Sequence, residues 1–277
     1  MNESKPREYF PPPLGSIEPH APLLTVPPDG QLLYKIMSVE NLLRSIFGNY
    51  LHFNRVDSYS DFPGADPNDG RQLPKDHQSN SRVRFEKAPD FSGANYYDQS
   101  RARTYAYCLS LENSDFIWNN YANDSARGKV GVVFDFGRLR KALNQILKPG
   151  NAALEYNGNR CHQIFSVNYG IVEYVEWDTH QANTKNPPNP IKYTYLKDKR
   201  RFLEENEFRI SLSAIGVFQF ALKDGSMMQF PSSLQLAFDF RSAIAAGVIQ
   251  QILYAPDSDA DFLQVESHKL RIGPSKG

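Results

Sequence analysis

The 277-residue chain holds only two cysteines, Cys108 and Cys161. That is too few for a disulfide framework, and neither sits in a CxxC pair or a Cys/His cluster, so zinc has no local support. A reducing compartment, the cytoplasm, is the simplest reading. There is no surplus of charge either, because 31 Lys and Arg balance 31 Asp and Glu. The balance excludes the overall basicity of a dedicated nucleic-acid binder and leaves a local basic patch open. No apolar run reaches the ~18 residues of a membrane span, so no membrane partner is expected. The start lacks a cationic stretch followed by an apolar one, the pattern of a secretory signal. GxxxxGK[ST], GxGxxG after a strand, HExxH and GxSxG are all absent. Their absence removes the usual phosphate loop, dinucleotide turn, zinc-protease helix and hydrolase elbow.

Aromatics, in contrast, are abundant, with 15 Tyr and 18 Phe. These residues suit strands and flat ligand-binding walls. Residues 1–30 are rich in proline and read as an extended arm ahead of a single domain, 31–277. "QLLYKIM" reads as a strand and "SVENLLRSIF" as a helix capped by Ser38, with Leu42, Leu43, Ile46 and Phe47 on one face. "NYLHFNRV", "TYAYCLSLE", "GKVGVVFDF" and "IQQILYA" read as strands, and "GRLRKALNQIL" as an amphipathic helix. Residues from about 57 to 103 read mostly as a long polar loop. Strands outnumber helices and do not alternate with them, which predicts an α+β fold.

The stretch "RFLEENEFRISL" raises the question of chemistry. Phe208, Ile210 and Leu212 alternate with Glu207, Arg209 and Ser211, the pattern of a strand. Placed on that strand, Glu205 and Glu207 project to one face, where two carboxylates perturb each other and seek a cation, with Arg209 next in line. A solvated strand face with alternating charges fits the same spacing, and both readings stay open. Trp118 and Tyr121, three residues apart, would share a helix face and wall a ring pocket or anchor the core. Tyr34, Lys35 and His52 are isolated polar groups on apolar strands. Cys108, inside an apolar strand, reads as inert. Asp57, Asp61, Asp66 and Asp69 sit among Pro and Gly and read as turn residues rather than a metal cluster.

In order along the chain, several short pieces form a recognisable series. They are Leu33-Tyr34-Lys35, Asn41-Leu42-Leu43, Leu51-His52-Phe53 with Asp61-Phe62-Pro63, and Cys108-Leu109-Ser110. Trp118-Asn119-Asn120-Tyr121-Ala122, Gly131-Val132-Val133-Phe134, Glu205-Asn206-Glu207-Phe208-Arg209 and Ile249-Gln250-Gln251-Ile252 complete it. The series resembles a bacterial family known as domain of unknown function 2971, over about residues 31 to 265. Where that family has Phe-Asn-Asp-Pro-Phe, this chain has Tyr59-Ser60-Asp61-Phe62-Pro63. The layout is also similar, more distantly, to ADP-ribosyltransferases. That resemblance implies mostly antiparallel central sheets with a few flanking helices, and NAD as substrate. It further implies Glu207 as the carboxylate at the ribose 2′-hydroxyl, Glu205 as its assistant toward an acceptor, and Arg209 as their positioner. Tyr34, Lys35, His52 and Ser110 would face the nucleotide, with Lys35 toward the diphosphate, and Trp118 or Tyr121 would stack on nicotinamide. A bacterial toxin or phage-defence effector acting on protein or nucleic acid is the implied class, and a non-catalytic binding module of the same fold is the alternative.

Overall fold

A computed structural model of the chain describes residues 16–61, 65–86, 88–148, 151, 154–161, 165–182, 189–214 and 219–255. The first half of the N-terminal arm and the quoted Phe62-Pro63 lie outside the described residues. Ten strands build one sheet. In chain order they are β1 (Leu32–Ser38), β2 (Tyr50–Arg55), β3 (Thr104–Ser110), β4 (Lys129–Asp135) and β5 (Leu154–Tyr156). Then follow β6 (Asn159–Arg160), β7 (Phe165–Ile171), β8 (Glu207–Ala214), β9 (Ser233–Ala237) and β10 (Ile249–Tyr254). The spatial order is β10-β4-β1-β3-β2-β9-β5-β6, with β8 and then β7 on the other edge of β3. Every pairing in this sheet is antiparallel. Among the described residues seven helices accompany it: α1 (Val39–Gly48), α2 (Pro74–Asn80), α3 (Gly93–Arg101), α4 (Asp115–Asn120), α5 (Phe136–Ile146), α6 (Lys199–Phe202) and α7 (Phe240–Ala245). The architecture is mixed α+β, mostly antiparallel, with short helices.

Local chemistry sets these elements. Ser38 accepts a hydrogen bond from the Asn41 amide and opens α1, and Asp135 does the same for α5 through the Arg138 amide. β4 is apolar on both faces, and Val130, Val132, Val133 and Phe134 are all buried between β1 and β10. The described part of the arm is tied down. Ser16 and Glu18 bond to Val167 of β7, and the Glu18 carboxylate is held by Arg140 and Asn144.

Residues 57–103, expected as mostly loop, carry α2, α3 and a two-stranded ribbon (Arg84–Phe85 with Ala88–Ser92). Few apolar side chains betray this segment in the sequence, because buried polar bonds hold it. Gln72 bonds to Asn80, to the Ala94 carbonyl and to Asp98. The apolar remainder, Leu73 and Tyr97, joins Val175, Trp177, Tyr193 and Leu196 in a second small core. The main core lies on the opposite face of the sheet and includes Phe208, Ile210 and Leu212. β8 is therefore covered on both sides.

The sheet opens at β3. One edge of β3 pairs with β8 along its whole length, from Thr104 to Ser110. Its other edge is shared: Ser110 pairs with Tyr34 of β1, and Tyr105 and Ala106 pair with Arg55 and Asn54 of β2. Tyr107, Cys108 and Leu109 have no strand partner on that edge among the described residues. β1 and β2 diverge there, and the divergence makes a cleft.

Candidate active site

β8 alternates as its sequence predicts, yet its polar face is not solvated. Glu207, Arg209 and Ser211 are buried, Arg209 completely. The second core and the segment around Asp69 and Thr194 lie over them. All five N–H groups of Arg209 find acceptors. Nε donates to Glu207 Oε1 at 2.6 Å and Nη2 to Glu207 Oε2 at 3.0 Å. Nη2 also reaches Asp69 Oδ2 at 2.7 Å, Nη1 reaches the other Asp69 oxygen, and Nη1 donates to the Thr194 carbonyl at 2.8 Å. Lys197 then bridges the two glutamates, 2.8 Å from Glu207 Oε2 and 2.5 Å from Glu205 Oε2. The chain of alternating charge ends where the Tyr121 hydroxyl donates to Glu205 Oε1 at 2.6 Å.

Glu205 does not share the strand with Glu207, as the spacing predicts. It closes a 3-10 turn, Leu203–Glu205, and Asn206 follows in the left-handed region at φ 43°. β8 begins only at Glu207. The left-handed residue reverses the chain locally, so the two carboxylates converge on Lys197 from different backbone directions. The Ser110 hydroxyl braces this turn by donating to the Glu205 carbonyl at 2.9 Å.

The environment pushes the two carboxyls apart. Burial alone would raise Glu207, but Arg209 and Lys197 outweigh it and hold the group well below the usual carboxylate range. Burial raises Glu205 too, and there Lys197 offsets only part of the effect while Glu207 adds to it, so Glu205 lies above its ordinary value. Lys197 is lifted by Glu207 and Glu205 against the opposing effect of burial. Beside them the Cys108 thiol is pushed up to about 12, by burial first and Glu207 second, so it is a protonated, unreactive wall.

No family model, no curated protein and no solved structure matches the chain. The geometry therefore carries the functional reading.

The cleft at the sheet opening is lined by Tyr34, Lys35, Cys108, Ser110, Tyr121, Glu205 and Glu207, with Ile36, Leu109 and Ile117 as its apolar wall. It encloses about 60 Å³, or about 370 Å³ with its open mouth. Of the residues singled out from the sequence, Glu207, Glu205, Tyr34, Lys35, Ser110 and Tyr121 meet here. Arg209 stands behind Glu207 and does not line the cleft. Trp118 and Tyr121 do not share a helical face, because α4 ends at Asn120 and Tyr121 is extended. The Trp118 indole packs over Gly131 beside Ile36, behind the wall, with Nε1 bonded to Asn113 at 2.7 Å. His52 is exposed on β2, bonded to Asn54, and not part of the lining.

Sequence reasoning missed Lys197, Asp69 and Tyr174, whose hydroxyl accepts from the Glu207 amide at 2.8 Å. Lys197 sits in a three-residue strand, Leu196–Asp198, inside a stretch that reads as helical. Among the described residues no group of three or more His, Cys, Asp or Glu could hold a metal ion. Asp57 pairs with Arg55, Asp66 accepts from the Asn68 amide, and Asp69 pairs with Arg209. No helix of the described residues is long and apolar enough to cross a membrane.

Proposed function

We propose that the cleft is the active site of an NAD-consuming, ADP-ribosyltransferase-like enzyme. One observation carries the reading: Glu205 and Glu207, with carboxyls driven in opposite pKa directions, share one cleft with Tyr34, Lys35, Ser110 and Tyr121. Paired titratable groups whose environments separate them mark an acid/base division of labour. Breaking the nicotinamide–ribose bond builds positive charge on the ribose, and a carboxylate that stays ionised stabilises that charge. Glu207 is that carboxylate. Glu205, held toward its protonated form, exchanges a proton with the acceptor. Arg209 and Lys197 fix both in place. Size sets the pose. The cleft measures about 370 Å³ with its open mouth, so a dinucleotide lies across the mouth and sends one ring or ribose inward.

Incubation with NAD, with and without a bacterial lysate, tests this by nicotinamide release. Wild-type protein is expected to release nicotinamide, and Glu207→Gln to lose at least ~100-fold of that rate while its far-UV spectrum stays native. Absence of release under both conditions sinks the reading. A second reading has its own support. Every oxygen of Glu205 and Glu207 already accepts a strong hydrogen bond, as in a structural network. It describes a non-catalytic nucleotide- or protein-binding module, and it requires NAD to bind saturably without turnover.

A further inference from the structure

The ion-pair network leaves one cation out. Lys35 lies on the face of β1 that carries Leu33, yet it lines the cleft because β1 and β2 have parted beside it. Its nitrogen stands 5.0 Å from the centre of the Tyr107 ring. Among the described residues it has neither a hydrogen bond nor an ion pair. The acids that could pair with it are spoken for. Glu207 is bound by Arg209 and Lys197, and Glu205 by Lys197 and Tyr121. Asp69, Glu207 and Glu205 against Arg209 and Lys197 sum to one negative charge, and the buried Asp66 lies in the same field. Among the described residues Lys35 has no carboxylate within ion-pair reach, and the field of Glu207 is shared with Arg209 and Lys197. A buried amine without an ion-pair partner sheds its proton more readily and becomes a nucleophile.

We propose that Lys35 is a reactive amine and that the cleft accepts a small carbonyl compound, an aldehyde or ketone, which Lys35 captures as an imine. The amine nitrogen adds to the carbonyl carbon, and the carbonyl oxygen takes a proton to give a carbinolamine. Loss of that oxygen as water then leaves the C=N bond. This activity needs no NAD and does not rest on the reading above.

The groups facing Lys35 act in both senses, the Tyr107 ring face and Glu207 favouring the ammonium and burial opposing it. Tyr107 presents its ring, and its buried hydroxyl has no hydrogen-bond partner. Cys108 stays a thiol. Glu207 is a carboxylate whose field supports the ammonium, and the exposed His52, across the gap on β2, is bonded to Asn54. Burial prevails, and the Lys35 amine lies below its ordinary value.

The test uses the full chain, pyridoxal as the carbonyl probe, borohydride to fix the imine, and peptide mapping at neutral pH. Lys35 is expected to be the first site modified, ahead of the exposed Lys141 and Lys223. Lys35→Arg abolishes the fast site and Tyr107→Phe keeps it. Equal or slower labelling of Lys35 overturns the proposal, as does fast labelling that persists elsewhere in Lys35→Arg. An NAD arm separates the two readings. A diphosphate seated beside Lys35 recharges the amine and slows its labelling, whereas fast labelling indifferent to NAD keeps the amine and counts against the NAD site.

Discussion

Arg209 is the residue on which the buried face of β8 depends. It has no exposed surface, and it bonds Asp69 and Glu207 at once through two-pronged contacts. Deleting one member of such a set leaves charge stranded away from water, which costs far more than an exposed pair is worth. Arg209→Met is therefore expected to lower unfolding free energy by about 3–5 kcal/mol. Arg209→Lys recovers only part of this, since a single ammonium cannot span two carboxylates in a plane. Urea titrations of both variants check the order. Equal stability of Arg209→Met and wild type would show that the network contributes nothing.

At the scale of elements, the site is made by a turn and a divergence, and these differ in how far sequence exposes them. The period of two in "EFRISL" is visible because Phe208, Ile210 and Leu212 must enter the main core. The same period suggests water on the other face, since polar residues usually mean solvent. It cannot show that a second layer supplies the partners. Asp69 and Lys197 stand 140 and 12 positions from Arg209 and bind through tertiary placement, so neither leaves a local pattern. Asn206 does leave one in retrospect, as Asn is among the few side chains that accept a left-handed backbone. It sets Glu205 against Glu207, and its carbonyl accepts from the Leu111 amide at 2.8 Å, fixing the turn to the end of β3. Asn206→Gly should be near neutral, whereas Asn206→Val should cost about 1–2 kcal/mol and detach the Tyr121 hydroxyl from Glu205. Denaturant midpoints read the first effect. Loss of the hydrogen-bonded Tyr121 hydroxyl signal in NMR of labelled tyrosine reads the second.

For the whole molecule, the two glutamates predict how stability moves with pH, and they act in opposite senses. Glu205 has its folded value raised, so between its ordinary value of about 4.3 and the higher folded value the native state binds more protons than the unfolded chain. Stability from this group grows as pH falls through that window. Glu207 has its folded value depressed, so the stability it gives is complete above the ordinary value and drains away as pH drops toward the folded one. Acidification from neutrality should first favour the fold through Glu205 and then undermine it through Glu207. Scanning calorimetry across acid pH separates them. The melting temperature of wild type relative to Glu205→Gln should rise as the medium becomes mildly acidic. Relative to Glu207→Gln it should fall on strong acidification. A wild-type curve parallel to that of Glu205→Gln throughout would mean that Glu205 titrates as a free carboxylate, and the acid/base division between the two glutamates would go with it.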